Sequence, residues 1–242
     1  MVVAALFVFL IATNAIPLFG AKSSAGNALK YSEAAPIAAQ GVSTYQGGGW
    51  ALLVAAGLDS SSSEVLPVNS SSLSTSNCTF SLAPGAPATI TVPAYTGNRS
   101  AGLAPAWEFL YRDGAGTVAL VLVIDGQATV FGTIGGVFCT SLFGLFSAVP
   151  SSVIDSSQAA GAVAANATTF FNQHPDANAT FGLLGGVSFF GKSVGPEWTL
   201  KFSTCAFAVS PTGTGAEFNA TVSATSGAVI YSETRASVPC GS

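Results

Sequence analysis

The segment "NATFGL" at residues 178–183 repeats "NCTFSL" at 77–82 with two changes. Its reading decides the fold, because other blocks recur around it in the same order. Upstream, "SEAAPIAAQGVSTY" (32–45) aligns without gaps on "SQAAGAVAANATTF" (157–170), matching Ser32 to Ser157, Ala34 to Ala159, Ala39 to Ala164 and Tyr45 to Phe170. Downstream, "PAWEF" (105–109) answers "PEWTL" (196–200) and superposes Trp107 on Trp198. Beyond that, "VIDGQATV" (123–130) matches "VSATSGAV" (222–229). Ordered recurrence of this kind is the signature of a duplicated unit.

Each unit reads as a helix followed by an antiparallel sheet. The Ala-rich blocks begin at Ser32 and Ser157, residue types that cap helix N-termini, and Pro36 falls near the first turn, where proline is best tolerated. In the first unit "AWEFLYR", the turn "DGAG" (113–116), "TVALVLVI", the turn "DGQ" (125–127) and "ATVFGTI" form a meander, with Asp-Gly as a hairpin signal. In the second, "EWTLKFSTCAFAV", "SPTGTG" (210–215), "AEFNATVSA", "TSG" and "AVIYSE" do the same. The N-x-T-F-x-L segment supplies a fourth strand in each. "GGGW" (47–50) ends the first helix, "ALLVAAGL" follows as an apolar strand or helix, and the Ser-rich run at 59–76 is an exposed loop. The expected fold class is therefore α+β: an apolar N-terminal helix (1–25), then two duplicated modules over 26–140 and 141–242, each a helix packed on an antiparallel β-sheet.

Composition sets the environment. Hydrophobic residues make up 49 % and charged residues 7 %, and the mean hydropathy is +0.56; ordinary globular domains carry roughly 25 % charged residues. The net charge is −4, with the few Lys and Arg scattered singly, so no basic patch exists for nucleic acid. A surface so poor in carboxylates depends little on their ionisation, which suits an acidic or very hot exterior.

Six of the nine Asn begin an N-x-S/T triplet: Asn69, Asn77, Asn98, Asn166, Asn178 and Asn219. They are expected to carry N-linked glycans on an extracellular surface. The four cysteines, Cys78, Cys139, Cys205 and Cys240, form no C-x-x-C pair, and His174 is the sole histidine, so a zinc site is not expected. Three disulfide pairings are possible; if the chain is two modules, Cys78–Cys139 and Cys205–Cys240 place one bridge in each. Disulfides imply an oxidising exterior.

The first 21 residues, "MVVAALFVFLIATNAIPLFGA", contain no charged side chain. As a helix they would extend about 31 Å, enough to cross a bilayer. Three readings stand: a cleaved signal peptide with small-x-small sites at Thr13–Ala15 and Ser23–Ala25, a retained anchor kinked at Pro17, or the mature N-terminus of an assembly subunit. The last resembles archaeal type IV pilin-like surface subunits, whose uncharged N-terminal helices bundle into a filament core. That resemblance implies a homopolymer formed through residues 1–25.

A second resemblance rests on "VSATSGAV". A helix followed by strands ending in this way is similar to PepSY-like domains, with Ser223 and Ser226 in place of the family's Asp and Thr; the first unit keeps Asp125 in a shorter turn. It implies protein binding or peptidase inhibition by a secreted protein whose signal peptide, residues 1–15 or 1–25, has been removed.

Catalytic groups are sparse. His174 lies in the polar loop "NQHPDAN", "GVSFFG" (186–191) is not a nucleophile elbow, and "GTIGGV" and "GLLGG" lack the dinucleotide-binding order. Asp113 and Asp125 are turn formers, and with Asp155 they are too few to enclose calcium. Trp107 and Trp198 recur at one position, as core residues do. The expected protein is a non-catalytic, cofactor-free, glycosylated extracellular structural subunit whose partners are its own copies or a membrane.

Overall fold

The computed structural model describes residues 28–59, 64–67, 78–95, 97–98, 101–189, 192–205 and 213–240. The expected helix over 1–25 and most of the Ser-rich run lie outside these residues, as do Asn69 and Asn77. Among the described residues there are three helices, α1 (Tyr31–Gln46), α2 (Val137–Gly144) and α3 (Ser156–Gln173). The strands are β1 (Ala51–Asp59), β2 (Glu64–Pro67), β3 (Thr79–Leu82), β4 (Thr89–Val92), β5 (Ala106–Arg112), β6 (Val118–Ile124) and β7 (Gln127–Gly135), then β8 (Asn178–Leu184), β9 (Val187–Phe189), β10 (Lys192–Val194), β11 (Glu197–Ser203), β12 (Thr214–Ser223) and β13 (Val229–Pro239). The fold is α+β.

Nine strands form one antiparallel sheet in the order β13-β12-β11-β8-β1-β5-β6-β7-β3; β2–β4 and β9–β10 form two small separate pairs. The first meander and the 225–227 turn of the second lie where their turn signals place them; of the expected 210–215 turn, residues 210–212 lie outside the described residues and Thr214 already begins β12. Asp113 accepts from the N–H groups of Ala115 and Thr117 to close the β5–β6 turn, and Asp125 adopts φ +51° in the β6–β7 turn. Read outward from its centre, the sheet has the same connectivity on both sides. β1 leads to β5, β6 and β7; β8 leads to β11, β12 and β13. The two halves join where β1 and β8 run antiparallel, from Val54↔Leu184 to Asp59↔Ala179.

This corrects the alignment that began with the repeated hexapeptide. "NATFGL" forms the central strand β8, whereas the Thr79–Leu82 part of "NCTFSL" is β3, at the far edge against β7. Phe181 belongs to the core beneath the helices and Phe80 to a second core on the opposite face. The place that β8 holds in its half is held by β1, the "ALLVAAGL" stretch. A pattern of one polar and one apolar residue in alternation marks a strand but not its position in the sheet.

α1 and α3 cover one face. Side chains at every second position of the central strands pack beneath them: Trp107, Phe109 and Tyr111 from β5, Phe181 and Leu183 from β8, Trp198, Leu200 and Phe202 from β11. Small residues on the helices, Ala34, Ala38, Ala159, Ala160, Val163 and Ala167, are almost fully buried and let the axes approach the sheet. Gly57 lies opposite Trp107; a Cβ there would stand 3.0 Å from the indole.

Above the β1–β8 seam the N-termini of α1 and α3 meet. Neither begins on the expected Ser: the N-caps are Lys30 and Asp155, each two residues earlier. The reason is that Asp155 serves both helices. Its carboxylate accepts from the backbone of Ser156 at 2.8 Å and from that of Ser32 at 3.0 Å, and from the Ser32 hydroxyl at 2.8 Å. Ser156 Oγ accepts from the backbone N–H of Tyr31 and donates to the carbonyl of Gly102. Two positive helix ends therefore share one anion. Trp107 and Trp198 meet edge to face at 6.4 Å beneath this junction. Their indole N–H groups donate to the carbonyls of Leu29 and Ile154, which precede the two N-caps.

Losing an N-cap side chain costs about 1 kcal/mol for one helix. Asp155→Ala, measured by denaturant unfolding, is expected to cost about 2 kcal/mol because two helices lose their acceptor. Lys30→Ala, whose side chain caps nothing, is expected to leave the midpoint nearly unchanged.

Candidate interaction surface

The face away from α1 and α3 differs between the halves. In the first half it is covered: Leu53, Leu110, Val118, Leu120 and Phe131 pack with Phe80, Phe143 and Phe146 in the second core. The bridge Cys78–Cys139 ties β3 to α2 over this core. In the second half the same face is polar. Cross-strand neighbours place Thr180, Lys201, Asn219 and Glu233 in one row, and Gly182, Thr199, Thr221 and Tyr231 in the next. Lys201 pairs with Glu217 at 2.6 Å. Along β13, the Tyr231 hydroxyl donates to Glu233, and Arg235 approaches the same carboxylate at 2.8 Å. These hydrogen bonds raise the pKa of Tyr231 and lower that of Glu233.

β13 itself is an edge. Among the described residues it has β12 on one side and no strand on the other. Ile230 is 62 % exposed and Tyr231 43 %. The second bridge, Cys205–Cys240, joins the residues just beyond β11 and β13 and so holds the edge strand from its far end. It crosses β12 at Gly215, where a Cβ would stand 2.6 Å from Cys205 Sγ.

One ionisable group is out of place. Glu108, on β5, points to the face away from the helices and is only 9 % exposed. Its cross-strand neighbours are Ala56 and Leu122, neither of them charged. Burial pushes its carboxyl up to about 8. No sequence signal singled it out: it sits in "PAWEF" next to the repeated Trp. Tyr31, at the helix junction, is also pushed up to about 12, by burial first and then by the Asp155 charge.

The sequon residues fall in different surroundings. Asn98 and Asn166 are exposed, and Asn219 is half-buried on the polar face. Asn178 is 5 % exposed, and its amide nitrogen donates to the carbonyl of Cys205 at 2.8 Å. That nitrogen is the atom a glycan would occupy, and here it is turned inward to hold the segment beyond β11. A strand-forming N-x-T sequence has its Asn and Thr on one face, and here that face is closed over the Asn.

The candidate catalytic residues are not brought together. His174 ends α3 and packs on Phe170 with ring centroids 5.0 Å apart. Asp113 and Asp125 lie at opposite ends of β6, and Asp155 is engaged at the helix junction. Among the described residues no cluster of His, Cys, Asp and Glu could hold a metal, and no helix is long and apolar enough to cross a membrane. Compared with protein-family models, curated proteins and solved structures, the chain finds no match in any of the three.

Two outcomes are expected. The unfolded carboxyl of Glu108 titrates near 4.5 and the folded one near 8, so its stabilising contribution is complete below 4.5 and is lost as pH rises through 8. The unfolding free energy should fall between pH 5 and 8, with a slope of up to about 1.4 kcal/mol per pH unit from this group, and the melting temperature with it; Glu108→Gln should flatten the dependence. Mass spectrometry of the native protein should find glycan on Asn98 and none on Asn178.

Proposed function

We propose that the chain is a non-catalytic, glycosylated extracellular structural protein, the subunit of a cell-surface filament or similar assembly. In this reading residues 1–25 form an apolar helix that packs against its copies or sits in a membrane. The two α+β halves, 26–140 and 141–242, descend from one duplicated module and present a nearly uncharged, sugar-bearing surface. The observation that carries the proposal is the uncharged apolar segment 1–21 attached to a body closed by two disulfides. Bridges of this kind persist in oxidising surroundings, and an apolar segment of that length requires a partner out of water. The repeated Trp-to-carbonyl bond supports the duplication: Leu29 and Ile154 stand three residues before the aligned Ser32 and Ser157.

A second reading, a secreted PepSY-like protein-binding or inhibitor protein, is favoured by the turn after β12. Ser223, at the position of that family's aspartate, closes it by accepting from the backbone N–H of Ser226. The N-terminal peptide of the native protein separates the two. Glycan-aware mass spectrometry is expected to find a peptide starting at or near Met1. A start near Ile16 or Gly26 would remove the filament argument and leave the secreted binding protein.

A further inference from the structure

Natural sheet edges are protected against pairing by Lys, Pro, inward charges, bulges or short length. The β3 edge is four residues long and is followed by Pro84 two residues later. β13 is eleven residues long, and over 229–238 it contains neither Lys nor Pro. Its register with β12 shifts near either end, but from Tyr231 to Arg235 it is regular.

We infer that β13 is a self-pairing edge, through which two copies of the chain join antiparallel about Thr234. This deepens the assembly reading by naming one contact between subunits. The sequence "VIYSETRASV" is self-complementary in that register. Thr234 meets its own copy, and Glu233 lies opposite Arg235 of the second copy, twice over. Ser232 meets Ala236 and Tyr231 meets Ser237. Ile230 and Val238 lie outside the regular stretch, so the contact rests on Tyr231–Arg235 and the residues opposite them. Opposite charges directly across a ladder stabilise it, and no like charges oppose each other here. Glu233 and Arg235 already lie on one face and within 2.8 Å of each other, so the two pairs close into a four-membered ring without rearrangement. The contact is isologous and closes after two copies; extension beyond the pair must use another surface.

The test uses the full-length protein in detergent, where the cysteines of the described residues are all disulfide-bonded. Residues directly opposite in an antiparallel pair have Cα atoms about 4.5–5.5 Å apart, within disulfide range. Oxidised Thr234→Cys is therefore expected to run as a covalent dimer on a non-reducing gel. Ser237→Cys is expected to remain monomeric, because the two sulfurs would lie about 20 Å apart along the strands. Glu233→Arg, which sets like charges opposite each other twice, is expected to weaken dimerisation by about tenfold. Adding Arg235→Glu restores the complementarity and should restore the dimer. Equal cross-linking of Thr234→Cys and Ser237→Cys, or a charge swap that rescues nothing, would overturn the edge contact while native filaments, if seen by microscopy, kept the assembly reading intact. A chain that is monomeric throughout, from cells without filaments, would remove both.

Discussion

The antiparallel pairing of β1 with β8 makes one protein of two halves. Each half has a three-strand meander and a helix, and each exposes one long side of its first strand. Alone, either half would present a central strand with half its ladder unpaired, beside a core open along one side. Pairing the first strands closes both ladders and brings Trp107 and Trp198 into contact. The two helix N-termini then meet above the same seam, where a single carboxylate, Asp155, serves both. The cap thus sits where the halves can separate, and it couples helix stability to sheet continuity.

The same arrangement explains how a chain with 7 % charged residues stays ordered. Its polar groups are satisfied by backbone and hydroxyl partners rather than by ion pairs. The indole N–H groups reach carbonyls, Ser156 links α3 to Tyr31 and Gly102, and Asn178 holds the segment beyond β11. On the polar face the charges pair, Lys201 with Glu217 and Arg235 with Glu233. The buried carboxyl of Glu108, with no charged residue opposite it, favours its neutral form and so favours an acidic medium. Two disulfides add to this economy. Each closes a loop of tens of residues, a constraint on the unfolded chain of about 4 kcal/mol in the chain-entropy description.

Much of the fold was legible in the sequence because strand and turn chemistry are local. Asp113, Asp125 and the Gly that follows each mark the ends of β6 directly, and the aligned Trp residues do occupy matching places. The start of α1 was misplaced because the carboxylate that accepts from its first turn belongs to Asp155, 123 residues away from Ser32; in α3 the N-cap is Asp155 itself, two residues before the Ser157 that the repeat pointed to. The equivalence of the two N-x-T-F-x-L segments failed for a related reason. Strand position is decided by which face finds a partner, and β1, with no polar alternation to announce it, is apolar enough to take the centre. The candidate surface was legible only in part. Glu233 and Arg235 are ordinary surface residues until the topology places them on an edge, and Glu108 became visible only once its neighbours were known.

Native-state hydrogen exchange along β1 and β8 tests the central claim most directly. If the seam holds the two halves as one unit, amides of both strands are expected to exchange only through global unfolding, with the same free energy for residues 54–58 and 180–184. Slow exchange confined to one half, or a denaturant range in which β11–β13 have opened while β5–β7 remain protected, would contradict it.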